Sequence, residues 1–351
     1  MWPTCVLVVV ASPCLHSVAR PAADSVAQMK IYVLHENDEW LPPFADALDA
    51  EGVAWEPWFL DGGVIDLTTP PPEGVFYSRM SASSHTRDHA RAKDHTRSVL
   101  SWLEAWGRRV VNGRRVLELE MSKVDQLTAL AAAGLQVPRT LAVVGTDQLV
   151  EQARRFPPPF VTKHNQGGKG LGVQRFDHGD AVADALASGD VQEPADHTWL
   201  LQEYVEPAGG FITRVEIVGG EFLYALAADT SHGFELCPAD ACQVHDAFCP
   251  SGEHAARIFS LREGFADQIV GRYLRFCASL GIEIAGVEFI ETADGRRVTY
   301  DVNTNTNYNA VVDAQAGRSG AVEVARFLVG LLHEHTQGVR PAWRHAPAGL
   351  G

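Results

Sequence analysis

Short apolar runs alternate with longer amphipathic stretches in the first third of the chain. Runs of strand length occur over 31–35, 53–59 and 75–79, and another opens at Val110. Helical periodicity covers about 43–51, where Gly52 supplies a stop signal, and about 88–106. The apolar side of the second helix is predicted to carry Val99, Trp102, Leu103 and Trp106. This alternation predicts a small open α/β sheet.

The pattern changes after Arg114 to a mixture of helices and hairpins. Ser122 and Asp125 resemble a capping box and predict a helix that continues to Gly134. Further helices are predicted over 144–156, 255–280 and 320–335, and strands over 199–205, 211–218 and 221–227. Gly219-Gly220 between the last two strands predicts a hairpin. The second part of the chain is therefore predicted to be α+β.

These patterns divide the chain into a leader (1–29), an α/β domain (30–113), two α+β units (114–205 and 206–336) and a tail (337–351). The first 28 residues contain one short apolar run that no Lys or Arg precedes. We interpret them as a disordered leader or as sequence upstream of the natural start at Met29, with a signal peptide as the alternative. The Pro-, Gly- and Ala-containing tail is predicted to be disordered.

A glycine-rich stretch from Phe160 to Phe176 is predicted to form two strands joined by a flexible turn. Four glycines leave backbone N–H groups unobstructed, and two lysines add positive charge, so the turn is a candidate phosphate-binding loop. These residues are Lys163, Gly167, Gly168, Lys169, Gly170 and Gly172. The spacing matches neither a Walker A motif nor a dinucleotide-binding Gly-x-Gly-x-x-Gly motif. A hairpin loop without a ligand is the alternative.

Composition limits the classes of partner. At 351 residues with 46% apolar and 21% charged residues, the chain is long enough for two or three globular domains. A net charge of −15 argues against a nucleic acid or an anionic membrane surface as partner, so any anion site must be a local basic patch. A homo-oligomer is left open.

Cysteine usage predicts a reduced, cytoplasmic protein, because the six cysteines form no C-x-x-C pair. A zinc site can be drawn from five residues, but their spacing matches no standard site and we regard it as the weaker interpretation. These residues are His232, Cys237, Cys242, His245 and Cys249.

The stretch from Gly286 to Asn303 predicts a second hairpin, with Asp294-Gly295 as a two-residue type I′ turn. Counting outward from that turn places Glu288 opposite Asp301 and Gly286 opposite Asn303. One face is then apolar and carries Val287, Phe289, Val298, Tyr300 and Val302. On the other face two carboxylates repel each other unless a cation lies between them, so Glu288, Asp301 and Asn303 are candidate Mg²⁺ ligands. A solvated polar face is the alternative.

Three basic residues, Arg79, His85 and Arg87, follow the end of the predicted strand 75–79. Open α/β sheets bind ligands at such strand ends, so these side chains are candidates for holding a substrate carboxylate. Asn305 and Asn307 continue the metal face and are also candidate substrate ligands, with local Asx turns as the alternative.

Taken together, the order of these elements resembles the ATP-grasp superfamily, most closely its RimK-type branch of α-L-glutamate ligase-like enzymes. The resemblance covers about 30–335 and rests on a set of short motifs: Met121-Ser-Lys-Val-Asp, Val161-Thr-Lys with the glycine loop, Gln202-Glu-Tyr-Val, Arg214, Gly286-Val-Glu and Tyr300-Asp-Val-Asn. It implies a Rossmann-like N-terminal domain followed by two α+β subdomains that clamp ATP.

The resemblance also implies roles for individual residues. Lys123 and Lys163 are similar to the two nucleotide-contacting lysines, and Gln166 to Gly172 to the lid over the phosphates. Gln202, Glu203, Tyr204 and Val205 resemble the adenine hinge, and Arg214 the arginine beside the γ-phosphate. With Lys163, Arg214 is the candidate catalytic residue. Glu288, Asp301 and Asn303 fall where the family holds magnesium, with two ions expected and Mn²⁺ as an alternative metal.

Three departures from the RimK-type pattern bear on the substrate. Ile212 stands where those enzymes carry an aspartate that binds the ribose; Glu206 or Thr213 is a candidate replacement, and a loosely held ribose is the alternative. Residues 231–242 replace a basic segment, and 303–309 are unusually rich in asparagine. Glutamate is therefore not carried over as the substrate.

We expect a Mg-ATP-dependent ligase that joins a carboxylate to the amine of an amino acid or peptide through an acyl-phosphate. The candidate residues suit phosphoryl transfer, which needs positioning and positive charge more than a protein nucleophile. An ATP-grasp kinase and a catalytically silent nucleotide-binding protein are the alternatives.

Overall fold

The computed structural model describes residues 29–168, 172–230 and 258–337. Its strands are β1 Lys30–His35, β2 Trp55–Phe59, β3 Gly74–Arg79, β4 Arg109–Val111, β5 Thr140–Val144, β6 Phe160–His164, β7 Gln174–Phe176, β8 Thr198–Glu203, β9 Phe211–Val218, β10 Glu221–Asp229, β11 Phe259–Leu261, β12 Ile284–Glu291 and β13 Arg297–Asn303. Its α-helices are α1 Pro42–Ala50, α2 Ala92–Ala105, α3 Arg114–Met121, α4 Lys123–Ala132, α5 Leu149–Arg155, α6 Asp180–Ser188, α7 Gln268–Leu280, α8 Ala310–Ala316 and α9 Gly320–Thr336.

The first sheet is parallel and has the order β2-β1-β3-β4, which confirms the predicted open α/β sheet. Its central strand β3 is buried along its whole length, as expected for a strand covered on both faces. Leu100 and Leu103 of α2 pack in the core on one side of the sheet. Phe44 of α1 and Leu328 of α9 lie in the core on the other side.

The second sheet, in the order β5-β8-β6-β7, contains the glycine-rich hairpin. Strands β6 and β7 pair antiparallel, with Phe160 opposite Phe176, as the pattern of that stretch predicts. The third sheet has the order β11-β10-β9-β12-β13. The hairpin of β9 and β10 turns at Gly219 and Gly220, whose φ angles of 63° and 77° favour glycine.

The N-terminal sheet and the third sheet share one hydrophobic core through α9. Val324 and Leu328 of this helix belong to the same buried cluster as Val75 of β3 and Leu226 of β10. This packing fixes the carboxyl end of β3 against the loop that follows β13. It therefore brings two distant parts of the sequence to one site.

Two sequence predictions about helices are wrong. The helix predicted over 255–280 begins only at Gln268, where the Asp267 side chain accepts a hydrogen bond from the Ile269 N–H; β11 and a turn occupy 259–267. Trp106, placed on the apolar side of α2, instead follows the helix end and is 43% exposed. Trp106 matched the helical period without facing the core, whereas Phe259 does face the core but from strand β11.

Several predictions lie outside the described residues: the leader 1–28, Lys169 and Gly170 of the glycine loop, residues 231–257 with the zinc alternative, and the tail from 338. Within the described ranges, every helix is too short or too polar to cross a bilayer.

Candidate active site

A cavity of about 200 Å³ lies between the second and third sheets. One part of its wall is apolar and the other carries lysines, acids and amides, which is the division that a nucleotide with a flat base and a charged tail requires. The apolar wall includes Pro138, Val161, Val173, Val205, Ile212, Ile290 and Val298. The polar wall includes Lys123, Lys163, Gln202, Glu288, Asp301 and Asn303.

The hairpin of β12 and β13 places the acidic residues as predicted. Glu288 pairs with Asp301 and Gly286 with Asn303. The predicted two-residue turn is wrong, however. The loop is closed by the Thr292 N–H, which donates to the Arg296 carbonyl (3.0 Å), so it contains three residues and ends at Gly295 with φ 82°.

A β-bulge at Tyr300 shifts the pairing of β12 with β13 by one residue between the turn and the acidic pair. Phe289 pairs with Thr299 and Glu288 with Asp301, so Tyr300 is the extra residue on β13. Because side chains alternate between faces, this one-residue shift places Val298 and Tyr300 on the face opposite Val287 and Phe289, where they line the cavity. Their assignment to the apolar core face is therefore wrong, and Thr299 packs inward instead, where its hydroxyl contacts the Tyr273 hydroxyl at 2.7 Å.

Tyr300 is a site residue that the sequence analysis missed. Its hydroxyl donates to Glu288 Oε2 at 2.7 Å, and Lys163 Nζ lies 5.5 Å from the centre of its ring. Ile290, Val298 and Val161 were also missed as cavity walls. The bulge explains why Val298 was missed, whereas Ile290 could have been found from its position two residues after Glu288 on the same strand.

Arg214 lies on β9 directly beside Glu288 of β12. It donates to Glu216 Oε1 (2.6 Å), to Glu288 Oε1 (3.1 Å) and to the Thr306 hydroxyl. A Cβ atom on Gly286 would lie only 2.6 Å from Arg214 Nη2 and 2.7 Å from its Cζ. Glycine at 286 is thus what lets the guanidinium lie flat against β12.

The two lysines and two acids share a dry environment. Lys123 Nζ forms an ion pair with Asp301 Oδ1. Burial and the charge of Lys123 together lower the pKa of Lys163 to about 8, and Asp301 offsets only part of this effect. Burial alone would lower the pKa of Lys123, but the charges of Asp301 and Glu120 outweigh it and raise that pKa. The site thus holds one lysine whose pKa is raised and a second whose pKa is lowered to about 8.

The pKa values of the two carboxylates also shift in opposite directions. Burial raises the pKa of Glu288, and Arg214 offsets part of that rise. Burial also acts to raise the pKa of Asp301, but Lys123 and Lys163 outweigh it, so the pKa of Asp301 is lowered. Asn303 Nδ2 donates to Glu288 Oε1 at 3.1 Å, which joins the third candidate ligand to the pair.

These three side chains offer only oxygen atoms as metal ligands, the carboxylate oxygens of Glu288 and Asp301 and the amide oxygen of Asn303. Within the described residues, no cluster of three or more His, Cys, Asp or Glu side chains is arranged as a metal site. Two carboxylates and one amide are too few to enclose an ion. They suit Mg²⁺, which binds through one or two carboxylates and completes its shell with waters and phosphate oxygens.

The glycine loop reaches the cavity through Gly167 and Gly168. Gly172 has φ 74°, and a Cβ there would lie 2.8 Å from His164 Nε2, so this turn requires glycine. Gln166 is buried and accepts a hydrogen bond from Lys93 (2.9 Å). Neither Gln166 nor Gly172 lines the cavity.

The predicted hinge follows β8 along the apolar wall. Gln202 accepts a hydrogen bond from Lys163 (3.4 Å), and Glu203, Tyr204 and Val205 all line the cavity. The N–H groups of Glu203 and Tyr204 are bonded to the carbonyls of Arg139 and Pro159. Glu206 is exposed and lies outside the cavity lining, whereas Ile212 forms part of it.

The predicted substrate residues separate into two groups. Arg79 donates to Asn305 Oδ1 (3.2 Å) and to Asn307 Oδ1 (2.6 Å), so these three residues come together. Arg87 instead pairs with the fully buried Glu36 (2.5 Å), and His85 Nδ1 lies 3.2 Å from the Ala82 carbonyl oxygen. Burial lowers the pKa of His85.

Comparison with known proteins agrees with this geometry. No family model matches the chain. β-Citrylglutamate synthase B of Danio rerio is 26% identical over 238 residues, which cover 67% of this chain and 54% of the synthase. A probable α-L-glutamate ligase of Stenotrophomonas maltophilia is 25% identical over 247 residues, which cover 69% of this chain and 74% of the ligase. The alignment with the synthase thus spans about half of that relative's length.

A RimK domain ATP-grasp protein from Sphaerobacter thermophilus has a similar structure, with a TM-score of 0.60 and 17% identity over 85% of this chain and 98% of that one. The chain has the ATP-grasp fold. The ATP-grasp ligase PsnB, solved with precursor, Mg and ADP, superposes with a TM-score of 0.58 and 17% identity over 87% of this chain and 99% of PsnB. The predicted fold class is confirmed by these structures.

Proposed function

We propose that this ATP-grasp protein is a Mg-ATP-dependent carboxylate–amine ligase that forms an amide bond through an acyl-phosphate. One observation carries the proposal. A single cleft joins an apolar slot to two buried lysines that face paired acids, and the buried Arg214 donates a hydrogen bond to one of these acids, Glu288. The named relatives are ligases and synthases, which supports the same class of reaction.

The apolar slot would hold the base of ATP. Val161 and Ile290 belong to different sheets and line the same cavity, so a planar ring can lie between them. The backbone of Val205 lies at the hinge beside this slot, where its N–H and carbonyl groups can form hydrogen bonds with the edge of the base. Ile212 offers no hydrogen bond to the ribose, so we infer that the sugar is held loosely.

The polar end would hold the phosphates. Lys123 and Lys163 are buried and bring positive charge to one point, and Gly167 and Gly168 let the backbone of the loop approach it closely. Glu288, Asp301 and Asn303 would hold Mg²⁺, which neutralises the charge that develops on the phosphates. We propose that two ions bind and that Mn²⁺ can replace Mg²⁺, and metal titration tests both points.

The reaction then needs positioning more than a protein nucleophile. A carboxylate oxygen of the substrate attacks the γ-phosphorus, and the bond to the β–γ bridging oxygen breaks to release ADP. Arg214 lies beside Glu288 and is positioned to stabilise the negative charge of the transferred group. The amine nitrogen then attacks the acyl carbon, loses a proton and expels phosphate.

We further propose that the two substrates are small carboxylic acids, amino acids or peptides, and that the protein works in a reducing, cytoplasmic compartment. Cell fractionation tests the compartment. The substrates are tested by mass spectrometry of a metabolite extract incubated with enzyme, ATP and Mg²⁺. An amide product with ADP and phosphate supports the ligase, whereas a phosphate ester would identify a kinase. Nucleotide binding without any product would identify a silent binding protein.

A further inference from the structure

A second, smaller cavity of about 60 Å³ adjoins the nucleotide cleft. The two cavities share Lys123, Gly167, Gly168 and Asn303, so the second opens where the phosphates would end. Trp40 and Val302 contribute apolar surface to it. The rest of its lining is mostly polar and comes from three regions: Ser81 and Ser83 after β3, Glu120 and Gln126 of the central unit, and Asn305 and Asn307 after β13. Arg214 also lines it.

Arg79 fixes the orientation of two amides at this cavity. Its Nε donates to Asn305 Oδ1 at 3.2 Å, and its Nη2 donates to Asn307 Oδ1 at 2.6 Å. A guanidinium can only donate hydrogen bonds, so both amide oxygens must face Arg79 and both NH₂ groups must point away from it. The usual ambiguity between the oxygen and nitrogen of an asparagine side chain is thereby removed.

The side chain of Asn305 is only 9% exposed. Its NH₂ group is buried and has no hydrogen-bond partner among the described residues. A buried donor without a partner is destabilising, and such groups in native proteins have a reason to be there. Asn305 lines the second cavity, so a ligand atom in that cavity can accept this hydrogen bond.

Arg79 itself is not placed to touch the substrate. Its guanidinium stacks 3.7 Å from the centre of the Phe44 ring and also donates to the carbonyls of Trp40 (3.1 Å) and Thr306 (3.4 Å). Its hydrogen bonds within the described residues go to amide and backbone carbonyl oxygens, and it does not line the second cavity. Its partners are neutral oxygens, which it orients across the junction between the N-terminal sheet and the third sheet.

We propose that the second cavity is the subsite for the acyl substrate, in which the NH₂ groups of Asn305 and Asn307 donate to its oxygen atoms and Arg79 acts as their positioning residue. This inference rests on the proposed ligase function. Donor amides next to Lys123 and Arg214 suit a carboxylate and disfavour an ammonium group, which needs acceptors. The only carboxylate that lines the cavity within the described ranges is Glu120, whose Oε2 already accepts bonds from the Thr304 N–H and hydroxyl.

The test uses full-length protein with ATP, Mg²⁺ and hydroxylamine, which traps acyl-phosphates as hydroxamates. Carboxylates for the screen are the twenty amino acids, their N-acetyl forms and citrate. With the substrate found, Asn305→Asp should raise KM for the carboxylate by roughly 10²-fold, because a donor becomes a negatively charged acceptor. KM for ATP should change less than about twofold, since Asn305 is not part of the nucleotide cleft.

A double-mutant cycle separates positioning from direct contact. If Arg79 acts through Asn305, the variant with both Arg79→Ala and Asn305→Ala should be no worse than the more damaging single variant. Fold losses that multiply would show direct contact by Arg79 and overturn its positioning role. Arg79→Lys replaces Arg79→Ala if the alanine variant does not fold. Arg109→Gln is the matched control: Arg109 is a buried arginine on β4 that pairs with Glu283 and lies outside both cavities.

The two proposals fail in distinguishable ways. If wild-type protein makes a hydroxamate and Asn305→Asp leaves KM for the carboxylate unchanged, the subsite proposal is wrong and the ligase proposal is unaffected. If wild-type protein binds Mg-AMP-PNP but makes no hydroxamate from any carboxylate, the ligase proposal is wrong and the subsite falls with it.

Discussion

Replacing Gly286 with alanine tests whether the close packing of Arg214 against β12 is essential. The new Cβ would lie 2.6 Å from Arg214 Nη2 and 2.7 Å from its Cζ, so the guanidinium must move. Overpacking of this kind destabilises a protein by about 1–3 kcal/mol. Displacing Arg214 also takes the charged partner away from Glu216 and Glu288, and breaking a buried ion pair costs roughly 3–5 kcal/mol. We therefore expect the free energy of unfolding to fall by about 1–3 kcal/mol where the guanidinium shifts but keeps its ion pairs, and by roughly 3–5 kcal/mol where an ion pair is lost.

The sign of the effect makes this prediction informative. At a glycine whose surroundings are open, alanine stabilises the fold because the unfolded chain loses freedom. Gly330 of α9 is such a position, since a Cβ there meets nothing within 4 Å, and Gly330→Ala should raise the free energy of unfolding by about 0.8–1 kcal/mol. Urea unfolding followed by tryptophan fluorescence measures both variants, and ADP release measures turnover. A Gly286→Ala protein as stable and as active as the wild type would refute the reasoning.

Three further predictions concern the cleft. Because Lys163 has a pKa of about 8 and binds phosphate only when charged, the affinity of the free protein for Mg-AMP-PNP should fall as pH rises from 7 to 9; calorimetry should show a flatter profile for Lys163→Arg, whose guanidinium stays charged. Tyr300→Phe removes the hydroxyl that donates to Glu288, so half-maximal activity should need roughly 10–100-fold more Mg²⁺, and an unchanged Mg²⁺ requirement would count against that role. Since Ile212 cannot hydrogen-bond the ribose, steady-state kinetics should show dATP used within about threefold of ATP, and strong rejection of dATP would reveal another ribose ligand.

The elements and the acidic pair could be predicted from sequence because local patterns specify them. The glycine hairpin, the capping residue Ser122 and the pairing of Glu288 with Asp301 all follow from short-range rules. The acidic pair was nevertheless reached by two errors that cancel. The loop has three residues instead of two, and the bulge at Tyr300 restores the register. Between the two, Val298 and Tyr300 lie on the opposite face from the one predicted.

Contacts between distant segments could not be predicted in detail. The strand-end position of Arg79 suggested a ligand site, but its bonds to Asn305 and Asn307 join residues 226 and 228 positions apart. Only the shared core around α9 brings them together. Likewise, no local pattern indicates that Arg87 is committed to the buried Glu36. Charged residues near a strand end look alike in sequence, and burial decides which of them pair inside the protein.

A crystal structure with Mg²⁺ and AMP-PNP tests the central claim most directly. We expect the base between Val161 and Ile290, phosphate oxygens about 3 Å from Lys123 and Lys163, and metal bound to Asp301 and Glu288. A nucleotide seated elsewhere, or phosphates that lie away from Lys163 and the acidic pair, would contradict the assignment of this cleft as the ligase active site.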